Sequence, residues 1–236
     1  MLFGGPHLLL GAGVALPLRR WPVLGLVLGA LVAWVVHAGG LTWPPRGLAT
    51  VAASVVVLTR LSHRPSVWWG AMAIVSVGTA FTWSRPLGVQ AAAGAALWMG
   101  LVVLGEGLAA RPARGGWGVV AVTGLVGAVL LAFTGSVRLA TEAALVSLPA
   151  FGLIGRPLDA AAGRAVAVLF GMAWAQGVLF SELGAWICVP LACLMALRIG
   201  WSDSEKAGWQ AVFVALGVGI VGTAPVVIDF LRNPPY

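Results

Sequence analysis

Charge is what this sequence has least of. Only 9% of its 236 residues are Asp, Glu, Lys or Arg, against about a quarter in soluble domains. Apolar residues make up 60% and mean hydropathy is +1.00. That balance excludes a soluble domain and fits a bilayer, where a charge at the midplane costs about 2.5–3.5 kcal/mol on insertion scales. Lysine is nearly missing: of the 14 basic residues, Lys206 is the one lysine. The net charge of +7 is spread singly or in pairs between apolar runs, which marks topology rather than a nucleic-acid patch. No hydrophilic stretch is longer than a loop, the longest lying at 111–116 and 202–208, so residues 1–236 form a single transmembrane domain.

Other absences narrow the chemistry. The two cysteines, Cys188 and Cys193, are five apart, about 140° around a helix and poorly placed to bridge; both read as buried, inert thiols. His7, His37 and His63 have no partner at i+3 or i+4 among His, Cys, Asp or Glu. There is no H-E-x-x-H, paired Cys-x-x-Cys or haem attachment sequence. Acid clusters that would hold a divalent cation are missing, as is G-x-S-x-G; Gly135-Ser136 lacks an obvious His base. No catalytic residue, metal site or cofactor is therefore assigned, and the expectation leans against an enzyme. The N-terminus lacks the positive region of a secretory signal, because residues 1–18 are apolar and Arg19-Arg20 follow them, so a retained first helix is expected.

What is present is a succession of apolar segments. They run at 2–18, 21–43, 47–59, 66–84, 86–108, 117–136, 139–155, 165–182, 183–198 and 209–230. A span needs about 20 residues to cross roughly 30 Å of hydrocarbon. The first, third and ninth are short, and 47–59 is the doubtful one. With the Arg19-Arg20 loop inside and strict alternation, the inside collects Arg19, Arg20, Arg60, Arg64, Arg111, Arg114, Arg156, Arg164, Arg198 and Lys206. Arg46, Arg85, Arg138 and Arg232 fall outside. This ten-to-four split puts both termini outside; without 47–59 the best split is nine to five, with the N-terminus inside. The predicted fold is thus an all-α polytopic helical bundle of nine to ten transmembrane helices in a bacterial inner membrane.

Tryptophan agrees in part. Trp21, Trp43, Trp68, Trp69, Trp83, Trp117, Trp186, Trp201 and Trp209 fall near segment ends, as an interfacial belt requires. Trp34, Trp98 and Trp174 lie mid-span and are assigned to helix packing. The glycines, including Gly25 with Gly29 and Gly217, Gly219 and Gly222, are assigned to close helix contact. Landmarks recur at an offset of 117–121 residues: Arg19 with Arg138, Arg46 with Arg164, Trp69 with Trp186, Gln90 with Gln210. Five spans in 1–112 and five in 113–236 would make two inverted halves, the plan secondary transporters use around a midplane site, whereas chance matching in a chain this rich in Ala, Val, Leu and Gly is the alternative and is favoured. The plan is similar to that of drug/metabolite-type transporters, although no motif specific to that family occurs.

Seven acids are present. Asp159, Asp203 and Glu205 read as solvated loop charges, whereas Glu106, Glu142, Glu182 and Asp229 lie at or inside span ends, where burial is costly and function is the default reading. Glu142 follows Arg138 by one helical turn, and pairing lowers the cost of carrying both into a low-dielectric region. The pair reads as a structural charge pair or as a substrate or proton handle, with the structural reading favoured. In the ten-span plan His7, His37, Gln90, Glu142, Glu182 and Asp229 gather in the outer half, with Gln176 nearer the middle and Glu106 near the inner end of its span. An outward vestibule that binds a cation or exchanges a proton would explain this gathering, and the ordinary polarity of residues near any interface explains it too and is favoured. Its pathway candidates are Glu142, Arg138, Gln176, Gln90, Asp229, Glu182, His37 and Glu106. Three functions are weighed: a small-molecule or ion transporter or its membrane subunit, first; a non-catalytic accessory subunit of a larger membrane complex; and an enzyme on a lipid-linked substrate. Expected partners are membrane lipids, with protein subunits or further copies of the chain, and no nucleic acid.

Overall fold

A computed structural model describes residues 7–37, 112–134, 137–166, 169–170, 174, 184–201 and 204–233. The expected all-α class holds: among the described residues there are helices and no strand, with one isolated antiparallel bridge between Ala113 and Leu158. The named helices are α1 (His7–Ala15), α2 (Pro22–His37), α3 (Gly116–Phe133), α4 (Val137–Ser147), α5 (Pro149–Gly152), α6 (Cys188–Met195) and α7 (Glu205–Arg232). Residues 160–166 are also helical. Segments 47–59, 66–84 and 86–108 lie outside the described residues, as do Trp43, Trp68, Trp69, Trp83 and Trp98.

Among the described residues two helices, α3 and α7, are long and apolar enough to cross a membrane. The shorter ones have identifiable causes. Pro149 has no N–H to continue α4 and opens α5 instead. Residues 184–201 run without a gap as four residues of 3-10 helix, eight of α6 and six more of 3-10 helix. At about 2.0 Å per 3-10 residue and 1.5 Å per α residue this stretch extends roughly 32 Å, so a short segment gains length by tightening its ends.

Close contacts fix the helix directions. An added Cβ at Gly118 would lie 2.6 Å from Val212 Cγ2, and at Gly219 it would strike Val126. Phe133 meets Phe230 edge to face at 4.9 Å. Contacts that advance together along both helices make α3 and α7 parallel. Gly124 faces Ser147 on the antiparallel α4, and Phe170 and Trp174 climb beside Gly124 and Gly127. Cys193 Sγ donates to Ala215 O at 3.4 Å and Val189 meets Gly222, so α6 descends against α7. In the α1–α2 hairpin Gly29 lies where a Cβ would be 2.6 Å from Gly11 O, and both glycines meet Pro149.

Loops 16–21, 112–115 and 153–159, the end of the 3-10 turn at 198–201 and the start of α7 consequently share one end of the bundle. Backbone bonds knit that end: Ala113 N–H donates to Leu158 O and Leu158 N–H to Ala113 O, both at 3.0 Å, and Arg114 N–H donates to Gly200 O at 2.9 Å. Gly115 turns there with φ 71°, and a Cβ on it would run into Gly208 O, so the position requires glycine twice over. Arg19 Nε donates to Gly152 O at 2.7 Å, tying the hairpin to the end of α5. The core between the ends is apolar: Trp117, Trp174, Leu26, Leu130, Leu131, Leu145 and Leu153 are fully buried.

Three expectations need amendment. Trp117 sits near a span end as expected, yet it is wholly buried among helices rather than at a water interface. Cys188 is exposed and only Cys193 is buried; both are free thiols. Asp159 is exposed but not merely solvated, since its Oδ1 accepts from Ala162 N–H at 2.8 Å and caps the helix at 160–166. Other readings hold. Trp174 packs mid-bundle against Phe170 at 5.3 Å, and Trp21, Trp186 and Trp209 are exposed near helix ends.

Candidate functional site

The pathway candidates divide between described and undescribed parts of the chain. Gln90, Glu106, Gln176 and Glu182 lie outside the described residues. His37 closes α2, Arg138 and Glu142 stand one turn apart at the start of α4, and Asp229 is in the last turn of α7. Helix directions bring these four to the same end of the bundle, opposite the knitted loops, together with His7 at the start of α1. Asp229 is exposed there, and its carboxylate accepts from Asn233 Nδ2 at 3.0 Å, an i to i+4 contact on its own helix.

Between the two ends the described interior offers little polarity. Its buried polar side chains are Thr123, Thr141 and Ser147. Thr141 and Ser147 spend their hydroxyls on their own helix, donating to Val137 O at 2.9 Å and to Ala143 O at 2.8 Å. Thr123 Oγ1 and Trp117 Nε1 are buried without a hydrogen-bond partner. No group of three or more potential metal ligands occurs among the described residues.

A cavity lies at the opposite, knitted end and was not foreseen. It has a volume of about 440 Å³ and opens between the start of α3, the turn at 154–157 and the start of α7. Ile154, Pro157 and Val212 give it apolar walls, and Arg114, Arg156, Glu205 and Trp209 bring charge and an indole to it. All four of these side chains are exposed. The Trp209 ring lies 6.4 Å from that of Phe213, one turn further along α7. The N-termini of α3 and α7 both border the cavity and neither has a side-chain cap. Their dipoles therefore add to the positive potential of the two guanidinium groups.

That end is also the basic end. Arg19, Arg20, Arg114, Arg156, Arg164, Arg198 and Lys206 all lie on it, whereas Arg138 and Arg232 lie at the other. Arg198 sits over the Trp201 ring at 6.0 Å. The loops at 112–116 and 154–157 are far apart in sequence, and their meeting depends on the bridge from Ala113 to Leu158. No local motif could announce it; the one sequence signal was the joint assignment of Arg114, Arg156 and Lys206 to one side.

Set against protein-family models, curated proteins and solved structures, the chain matches none.

Proposed function

We propose that the chain is a multi-pass inner-membrane transport protein for a small molecule or ion, or the membrane subunit of such a transporter, built from ten spans. The observation that carries this reading is the separation, among the described residues, of two polar regions by an apolar core. A charged cavity opens at the basic end, the described ionisable candidates gather at the other, and Leu130, Leu131, Leu145 and Trp174 are buried between. A carrier that exposes its site to one side at a time needs such a barrier, whereas an open pore does not.

Two further observations support the membrane arrangement. Helix α7 is neither a buried core helix nor an N-terminal signal: only 22% of its apolar window is buried, and Phe213, Ile220, Val221 and Leu231 are exposed. A face of that kind suits hydrocarbon. The second is helix direction. Helix α2 runs away from the basic end and α3 starts from it, the relative directions that the ten-span plan of the sequence gives them. The same alternation gathers seven described basic residues at one end, which the positive-inside tendency assigns to the cytoplasm. The two halves at 1–112 and 113–236 then have inverted topology, with the path between them.

Solute flux in proteoliposomes is the test. Uptake or exchange of a small solute or of protons, above that of protein-free vesicles, is expected, and absence of flux across an ion and metabolite panel that includes protons overturns the transport reading. A second reading, an accessory subunit, is favoured by the exposed apolar face of α7, which a partner helix would also cover. A stoichiometric partner retained in mild detergent, with no flux by the isolated chain, would select it.

A further inference from the structure

The cavity at the basic end differs from a simple ion site because its charges stand on apolar walls that continue onto an exposed helix face. Arg114 and Arg156 are exposed at its border, while Ile154, Pro157 and Val212 line it. From it Trp209 leads to Phe213 at 6.4 Å, and Ile220 follows two turns later, exposed like both of them. Resting on the membrane reading above, we propose that this cavity binds the headgroup phosphate of an anionic phospholipid from the cytoplasmic leaflet, with an acyl chain laid along the Trp209–Phe213–Ile220 face of α7.

The chemistry fits at each level. Guanidinium groups pair with phosphate oxygens in a fork geometry, and basic pockets between spans on the cytoplasmic side suit anionic headgroups. Trp209 stands at the level where an indole meets both water and hydrocarbon. Two arginines against Glu205 leave one net positive charge in the lining, which matches the single negative charge of a phosphodiester rather than a polyphosphate. A volume of about 440 Å³ takes a glycerophosphate but not two acyl chains, so the chains must lie outside, where the apolar track runs. A free anion shares the phosphate chemistry but leaves the aromatic track without a role.

The test uses the full chain in bilayer nanodiscs of mixed phosphatidylglycerol and phosphatidylcholine, released for native mass spectrometry of retained lipid. Phosphatidylglycerol is expected to be enriched. Arg114→Gln and Arg156→Gln each lower that enrichment by about fivefold, and together by about 25-fold. Arg→Lys at both positions keeps most of it, and Glu205→Gln raises it by about fivefold, an opposite sign that general misfolding does not produce. Equal retention of the two lipids, or enrichment indifferent to all these changes, overturns the proposal. Displacement of the lipid by millimolar inorganic phosphate overturns it in favour of a free-anion site. Should the double glutamine variant fail to fold, the single variants and Glu205→Gln decide. Alkaline carbonate washing separates the two levels of the argument: release from membranes defeats the membrane reading, whereas firm retention without lipid preference defeats only this proposal.

Discussion

Replacing Gly124 by alanine puts a methyl group where α3 and α4 cross. The new Cβ would overlap Ser147 Cβ and lie 2.8 Å from both Ser147 Oγ and Phe170 Cζ. Ordinary carbon contacts are about 3.5–4.0 Å, so α4 must recede by more than roughly 1 Å. Ser147 cannot yield by rotation. Its Cβ moves with the backbone, and its hydroxyl is held by Ala143 O at 2.8 Å and Ala144 O at 3.0 Å. Overpacking costs about 1–3 kcal/mol, and a clash with both a backbone-held Cβ and a ring belongs in the upper half of that range, about 2–3 kcal/mol; the better helix propensity of alanine returns about 1 kcal/mol, leaving a net loss of roughly 1–2 kcal/mol. For a chain of this size that lowers the melting temperature by about 2–8 °C, readable by thermal unfolding in detergent. Gly217 is the control: nothing lies within 4 Å of its added Cβ, so Gly217→Ala keeps the propensity gain and is neutral or raises the midpoint. Ser147→Gly combined with Gly124→Ala should show favourable coupling of at least about 0.5 kcal/mol. Equal tolerance of Gly124→Ala and Gly217→Ala would refute the claim that this crossing is set by glycine.

Thr123→Val removes a buried hydroxyl that has no partner and keeps the shape of the side chain; stabilisation by about 1–3 kcal/mol is expected in the same unfolding assay, and a loss would mean that the hydroxyl has a role. Arg19→Gln breaks the 2.7 Å bond to Gly152 O on a partly exposed side chain, and should cost about 1 kcal/mol, read as faster proteolysis in the 16–21 loop. Asp159→Ala removes the cap on Ala162 N–H and should lower stability by about 1 kcal/mol, with Asp159→Asn restoring most of it. A lipid-soluble maleimide should modify exposed Cys188 and spare buried Cys193, as read by mass spectrometry of Cys188→Ser and Cys193→Ser variants.

The helices were legible as apolar runs of helical length bounded by charges and Pro/Gly pairs. Segment 117–136 was expected where α3 runs Gly116–Phe133, and 183–198 where helix covers 184–201. Segment 209–230 lies within Glu205–Arg232. Ends were less exact, because charged residues such as Glu205 and Lys206 start the helix ahead of the first residue of the apolar run. The cavity was illegible for a different reason. Arg114 and Arg156 each looked like an ordinary loop charge, and what joins them is a backbone bridge and the clearance of Gly115, Gly118 and Gly208. Trp117 was placed near an interface by its position along the span, and nothing local said that other helices would enclose it.

Helices α3 and α7 show how burial is encoded when polarity is unavailable. Both pass as membrane spans on hydropathy, yet 72% of the α3 window is buried against 22% for α7. In water a helix announces its buried face by being apolar there and polar elsewhere. In a bilayer the outside is as apolar as the inside, so the discriminating property is side-chain size, because small residues let backbones approach. On α7 the buried residues are Ala207, Gly208, Ala211, Ala215 and Gly219, spaced as a single stripe of small side chains. Phe213, Ile220, Val221 and Leu231 lie off it and stay exposed. On α3, Gly116, Gly118, Gly124 and Gly127 point in several directions, and each is met by a different neighbour: Leu158, Val212, Ser147 and Trp174. One stripe gives a peripheral helix and several give a central one. Helix α6 departs from this rule: Cys188, Ala192 and Met195 are exposed while Pro190, Cys193 and Leu194 are buried, so there register rather than side-chain size separates the two faces.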